Sequence, residues 1–252
     1  MFRFLLRPRW IGLTLFAVVV VGVCVRLGLW QLDRLEGRRD FNDRYASGLA
    51  RAPRPLEDLL RDGGALAYRR AIAIGRYDTE HEVILYGRSL DGQAGNHVLT
   101  PLVLADGRAV VVDRGWVPFE MDEPPVAGAA PPGETDVEVE GTLFAPQPGG
   151  AGEIQAGMDR VTTMRSVDVD AIARDVSYDL VPWFLQLRSQ TPGGGDLPVP
   201  APLPELDDGP HLSYAFQWFA FATIAAVGYV ILVRHEVADR SATASGSGVG
   251  PG

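Results

Sequence analysis

The stretch WIGLTLFAVVVVGVCVRLGLW, Trp10 to Trp30, decides the architecture of this chain. Its single charge is Arg26, and at about 1.5 Å rise per residue it is long enough for a hydrocarbon core about 30 Å thick. A second stretch, LSYAFQWFAFATIAAVGYVILV, Leu212 to Val233, repeats that property near the other end of the 252 residues. The reading is a membrane protein: two transmembrane helices, 10–30 and 211–233, bracket a domain carried by residues 31–210.

Charge at the flanks orients this bracket. Arg3, Arg7 and Arg9 precede the first span with no acid among them, and Arg234 and Arg240 follow the second. Positive flanks face the cytoplasm. Residues 1–9 and the tail 234–252 are therefore expected inside, and the central domain outside, in a multi-pass protein of the bacterial cell membrane. Arg34, Arg38 and Arg39, interleaved with Asp33, Glu36 and Asp40, run against that orientation. The first apolar run exceeds the ~7–15 residues of a signal peptide. Gly28-Leu29-Trp30-Gln31-Leu32 is also too bulky for a cleavage site, so an uncleaved anchor is expected.

Working inward, the net charge of −9 is unevenly spread: residues 91–210 hold 6 Arg against 20 Asp and Glu. Such a surface repels phosphate backbones and excludes nucleic-acid binding. Cys24 is the only cysteine and lies within the first span. An intramolecular disulfide, a Cys-X-X-Cys redox or zinc site and a paired-thiolate copper site are all excluded.

Residues 31–66 are polar and helix-compatible up to Pro53 and Pro55. Strand patterns follow at 70–75, 81–86, 97–104, 109–113, 135–143, 161–165 and 183–187. Asp106-Gly107 between two apolar runs signals a hairpin. Gly87 to Gly95 reads as a turn-rich connection, and 168–176 as one short helix with an acidic start. Loops are expected at Met121–Glu134 and Pro146–Gly157. The fold expected for 31–190 is α+β, mainly antiparallel β and partly closed like a barrel. A proline-rich spacer (191–210) returns the chain to the second helix, and the Ser/Gly/Ala-rich end from Ser241 reads as disordered.

Candidate chemistry gathers where the second helix begins. At about 100° per residue, His211, Tyr214, Ala215, Trp218, Ala222, Ala225 and Tyr229 share one face. One imidazole among flat rings and small residues suits a haem macrocycle; the same residues also suit an interfacial aromatic belt and ordinary helix packing. Arg26 either snorkels to lipid phosphate or meets an anion such as a haem propionate. Arg114-Gly115-Trp116, ending the strongest strand pattern, is either a bulged strand terminus or a patch for partner contact. His81 and His97 read as strand histidines. Neither a Gly-X-Ser-X-Gly elbow nor a phosphate-cradling glycine loop occurs, so the sequence gives no sign of an enzyme.

Five stretches taken in order resemble the surfeit locus protein 1 family, membrane factors for assembly of haem–copper cytochrome c oxidase. They are Gly28-Leu29-Trp30-Gln31-Leu32-Asp33-Arg34, Gly75-Arg76-Tyr77-Asp78, Gly95 to Leu102, Val110 to Pro118, and His211 to Phe219. Asn96 and Asp113 depart from the family's usual aromatic and Asn. The resemblance implies a non-catalytic chaperone of respiratory chain biogenesis that assists insertion or retention of haem a in oxidase subunit I. It implies partnership with subunit I and the haem a synthesis machinery, and it makes His211 the candidate iron ligand. A scaffold for oxidase subunits that never touches haem is the alternative.

Overall fold

The computed structural model describes residues 3–132, 135–147 and 160–246. Most of the expected Pro146–Gly157 loop and the last six residues lie outside the described residues. The chain forms two compact units, Met1–Asp43 with Leu206–Gly252, and Arg44–Glu205.

The first unit is helical. α1 (Pro8–Leu49) begins with proline, whose missing N–H costs nothing at that position, and α4 (His211–Gly246) has no internal proline to break it. Each is long and apolar enough to cross a membrane. Buried and half-buried positions on α1 include Trp10, Thr14, Ala17, Val21, Cys24, Gly28, Gln31, Leu35, Arg38 and Asn42, with Val20, Leu27 and Phe41 half-buried beside them. On α4 they include His211, Ala215, Trp218, Ala222, Ala225 and Tyr229, with Phe219 half-buried beside Trp218. Alternating steps of four and three are a 3.5-residue period, the spacing of a coiled-coil seam. The pairing is antiparallel: Thr14 Oγ1 meets the Tyr229 hydroxyl at 2.5 Å, whereas Gln31 meets His211. Gly28 permits the close approach, since a Cβ there would stand 2.8 Å from the Phe219 ring. The tail expected to be disordered from Ser241 continues as helix to Gly246, because no proline or glycine interrupts α4 between Gly228 and Gly246.

The second unit begins with the last turns of α1. Tyr45, fully buried, packs edge-on against Tyr68 with ring centroids 5.2 Å apart. A short strand β1 (Arg54–Pro55) leads into α2 (Leu56–Asp62). The other strands are β2 (Arg70–Tyr77), β3 (Val83–Leu90), β4 (Gln93–Leu104), β5 (Ala109–Pro118), β6 (Val137–Phe144), β7 (Thr163–Met164) and β8 (Leu180–Thr191). α3 (Val169–Ala173), capped by the Asp168 carboxylate on the Ala171 N–H, precedes β8.

The strands form one sheet in the order β1-β2-β6-β8-β5-β4-β3-β7, and β2 also pairs with β4. That last pairing covers three residue pairs, so the sheet rolls over a short seam and is not a clear barrel. Nor is it purely antiparallel: β1–β2, β3–β7 and β5–β8 are parallel, giving a mixed sheet. β5 is the central strand, buried from Ala109 to Val117, which is why it reads as an almost unbroken apolar run. Leu102, Val110, Leu143 and Leu185 fill the main core together with Leu56 and Leu59 of α2.

The Asp106-Gly107 hairpin joins β4 to β5 as expected, with Gly107 at φ +85°. The Gly87–Gly95 connection is shorter than expected. Its turn is confined to Asp91 and Gly92, both at positive φ, and the flanking residues are strand. His81 lies in a 3-10 turn (Thr79–His81) rather than a strand, because Asp78 caps the turn through the Glu80 N–H. The proline-rich spacer is anchored part-way: Val199 pairs with Trp116, each N–H donating to the other's carbonyl.

Candidate functional site

His211 opens α4 directly after the turn Asp207-Asp208-Gly209-Pro210, in which Gly209 takes φ +64°. That turn is fastened to α1. Arg38 donates from Nε to the Asp207 carbonyl at 3.0 Å and from Nη2 to its carboxylate at 3.1 Å. Asn42 donates to the same carbonyl at 2.9 Å, and Arg39 grips the Asp208 carboxylate with Nε and Nη2 at 2.8 and 2.6 Å. With the turn held, the half-buried imidazole of His211 meets Gln31, Nδ1 to Oε1, at 2.9 Å. An amide oxygen can only accept, so Nδ1 is the donor in this contact, and in the neutral ring Nε2 would keep the lone pair.

A neutral imidazole nitrogen of this kind is a metal ligand. Among the described residues no group of three His, Cys, Asp or Glu could hold a bare ion. One imidazole by itself is the kind of donor that an iron already held in a macrocycle can use.

The aromatic face expected around His211 is not assembled as one pocket. The 3.5-residue seam commits Ala215 and Ala222 to α1 and leaves Tyr214 off it, 48% exposed. Trp218 is half-buried on the seam, edge-on to Phe221. Arg26 is exposed, two residues from both Cys24 and Gly28, on the side of α1 turned away from α4. Arg26 and Tyr214 are thus not brought together with His211.

The Arg114-Gly115-Trp116 triplet is not a free patch. Arg114 is 1% exposed and sits in the interior, where Nη1 meets Glu82 Oε2 at 3.3 Å and Nη2 donates to the Ala129 carbonyl at 2.6 Å. Thr100 donates to the same carboxylate at 3.0 Å, and Val126 N–H donates to Glu82 Oε1 at 2.7 Å. The pair thereby clips the proline-rich 121–132 loop onto the sheet. Burial pushes the Glu82 pKa up and the Arg114 pKa down, each partly offset by the other's charge. Gly115, at φ +119°, lies against Val199, and Trp116 is buried beside Gly95. All three residues are spent on the sheet because β5 is covered on both faces.

Two further polar clusters occupy the sheet unit. His97 Nδ1 and Asp113 Oδ2 are 2.9 Å apart and buried. Asp78 accepts from the Tyr178 hydroxyl at 2.8 Å and stands 2.7 Å from His81 Nδ1. Partial burial works to raise the Asp78 pKa, but these hydrogen bonds outweigh it and hold the carboxyl below the usual range. Asp78 also borders a cavity of about 760 Å³ lined by Ile72, Ile74 and Arg76, which none of the expected site residues reaches.

Reasoning from sequence missed Gln31, Arg38, Arg39, Asp207 and Asp208. Gln31 lies 180 residues from its partner, a distance that no local pattern spans. The Arg38-Arg39 and Asp207-Asp208 doublets were a usable signal, since paired opposite charges invite one another.

The model of the SURF1 family matches residues 18–223, from within α1 to within α4. An uncharacterized SURF1-like protein of Mycobacterium tuberculosis is 32% identical over 254 residues, covering 97% of this chain and 90% of the relative. A SURF1-like protein of Rickettsia felis is 23% identical over 227 residues, with 88% and 97% covered. One of Drosophila melanogaster is 27% identical over 232 residues, with 82% and 73% covered. With two apolar helices bracketing the mixed sheet and the match spanning both, the chain belongs to the SURF1 family.

Proposed function

We propose that this chain is a membrane-anchored, non-catalytic assembly factor for haem–copper cytochrome c oxidase. It assists insertion or retention of haem a in subunit I, working beside the haem a synthesis machinery. The observation that carries the haem reading is the His211 ring, whose Nδ1 is committed to Gln31 so that Nε2 is the nitrogen left for a ligand. His211 would hold the haem iron through this nitrogen, and the haem would supply the redox centre destined for the oxidase. Arg38, Arg39 and Asn42 hold the turn that presents the imidazole.

Membrane placement rests on the outward-facing side chains of α1 and α4. Phe16, Val18, Val19, Phe216 and Ile224 are all more than half exposed, which is stable only where the surrounding medium is itself apolar. The topology proposed is that of a bacterial cell membrane with both termini cytoplasmic and the sheet unit outside.

The test is to express the protein together with haem a synthesis, purify it and record its visible spectrum. A Soret band is expected in wild type and a much weaker one in His211→Ala. A wild-type protein without a Soret band, or a band undiminished in the variant, overturns the ligand role.

One observation favours a scaffold without haem contact: Ala215 and Ala222, on the face that would meet a macrocycle, are packed into the seam. On that reading a deletion strain complemented with His211→Ala keeps normal oxidase activity and haem a content. On the haem reading both fall.

A further inference from the structure

We infer that Gln31 is the positioning residue of this site: it fixes the tautomer and ring orientation of His211, so that Nε2 and not Nδ1 is the ligand atom. The second half of this inference rests on the haem reading; the first half does not.

The argument starts from the ring. A neutral imidazole exchanges its proton between two nitrogens, and a ligand histidine is useful only when one nitrogen is reserved. Metal-bound histidines are ordinarily steered by a hydrogen bond from the other ring N–H, which also raises the basicity of the ligating nitrogen. Gln31 Oε1 provides that acceptor at 2.9 Å, from the helix opposite. Gln31 is itself on the seam, between Gly28 and Leu35, so its stem is held by the packing of α1 against α4.

The other side of the ring is kept clear. A Cβ at position 209 would stand 3.4 Å from His211 Cδ2 and 3.6 Å from Nε2, in contact with the edge that must receive a ligand. Gly209 leaves out that Cβ, and its φ of +64° independently favours glycine. The imidazole is thus held at Nδ1 from α1 and carried by a turn that Arg38, Arg39 and Asn42 tie down. Those anchors lie about two to three turns beyond Gln31 on the same helix, so one surface of α1 sets the position of the ring.

The experiment has two arms, both on the full chain in detergent. The first uses no haem. The protein is labelled with ¹⁵N-histidine, and the His211 imidazole is assigned by its loss in His211→Ala. The expected result is an Nδ1-protonated ring in wild type and in Gln31→Glu, which keeps the acceptor, and a mixture of tautomers in Gln31→Met, which does not. An Nε2-protonated ring in wild type, or a ring unchanged by Gln31→Met, overturns the inference.

The second arm titrates haem a and reads the Soret band and the midpoint potential. Loss of such a supporting partner costs about 10- to 100-fold in metal affinity. Gln31→Met is expected to weaken binding by that factor and raise the potential. Gln31→Glu is expected to keep the affinity and lower the potential by making the ligand more basic. A role in helix packing alone moves stability in these variants but not the potential in opposite directions. Equal affinity and potential in wild type and Gln31→Met overturn the ligand-side claim. Absence of haem a binding by wild type overturns the haem reading itself, while the tautomer continues to decide the hold of Gln31 on the ring.

Discussion

At the scale of single residues, the chain spends its buried charges on fastening loops. Glu82 and Arg114 are nearly inaccessible, and each holds part of the 121–132 loop through the backbone of Val126 or Ala129. Removing one partner strands the other charge, so Arg114→Met should destabilise the sheet unit by about 3–5 kcal/mol, read as a lower urea midpoint in tryptophan fluorescence. The double change Glu82→Gln with Arg114→Met should cost less than Arg114→Met alone, because no unpaired charge remains. Asp78 makes an acid-sensitive contribution. Its folded-state pKa lies below the ordinary aspartate value, so its contribution is present at neutral pH and is lost as pH falls through the folded value. Asp78→Asn should therefore lower the melting temperature at pH 7 and make it depend less on pH below about 4, the ordinary aspartate range. An unchanged pH profile would refute this.

At the scale of elements, the blocks of hydrophobicity were legible and their partners were not. The strand at 109–113 and the Asp106-Gly107 hairpin are local patterns, and the structure forms both. The expected haem face on the second helix assumed a lone helix at about 100° per residue, which admits Tyr214. Pairing with α1 instead commits Ala215 and Ala222 to the seam and leaves Tyr214, at the edge of that face, exposed. The buried fate of Arg114 was hidden for a related reason, since its partner Glu82 is 32 residues away and is brought close only through β4. The seam can be tested by steric exchange. Gly28→Leu forces a side chain into the space of the Phe219 ring and should destabilise the helix pair by about 1–3 kcal/mol, the usual cost of overpacking. Adding Phe219→Ala should restore most of that loss, measured by unfolding in mixed micelles. Additive losses would mean that the two residues do not meet.

At the scale of the whole molecule, the two apolar runs that set the architecture would, if both cross a membrane, also determine which parts of the chain share a compartment. The sequence offered conflicting signals, since Arg34, Arg38 and Arg39 follow the first run as closely as Arg7 and Arg9 precede it. In the folded chain Arg38 and Arg39 are paired with Asp207 and Asp208, so those cations are used within the protein, whereas Arg7 and Arg9 have no acid nearby in sequence. Arg34 still stands beside the first run, and the proposed cytoplasmic placement of the termini rests on the outer flanks at Arg7, Arg9 and Arg234. With Cys24→Ala removing the native thiol, Asp91→Cys in the exposed β3–β4 turn should react with a membrane-impermeant maleimide on intact cells. Ser241→Cys should react only after permeabilisation. The reverse pattern would invert the protein. Labelling of both sites on intact cells would mean that one of the two helices does not cross, and the bracket on which the architecture rests would then reduce to a single anchor.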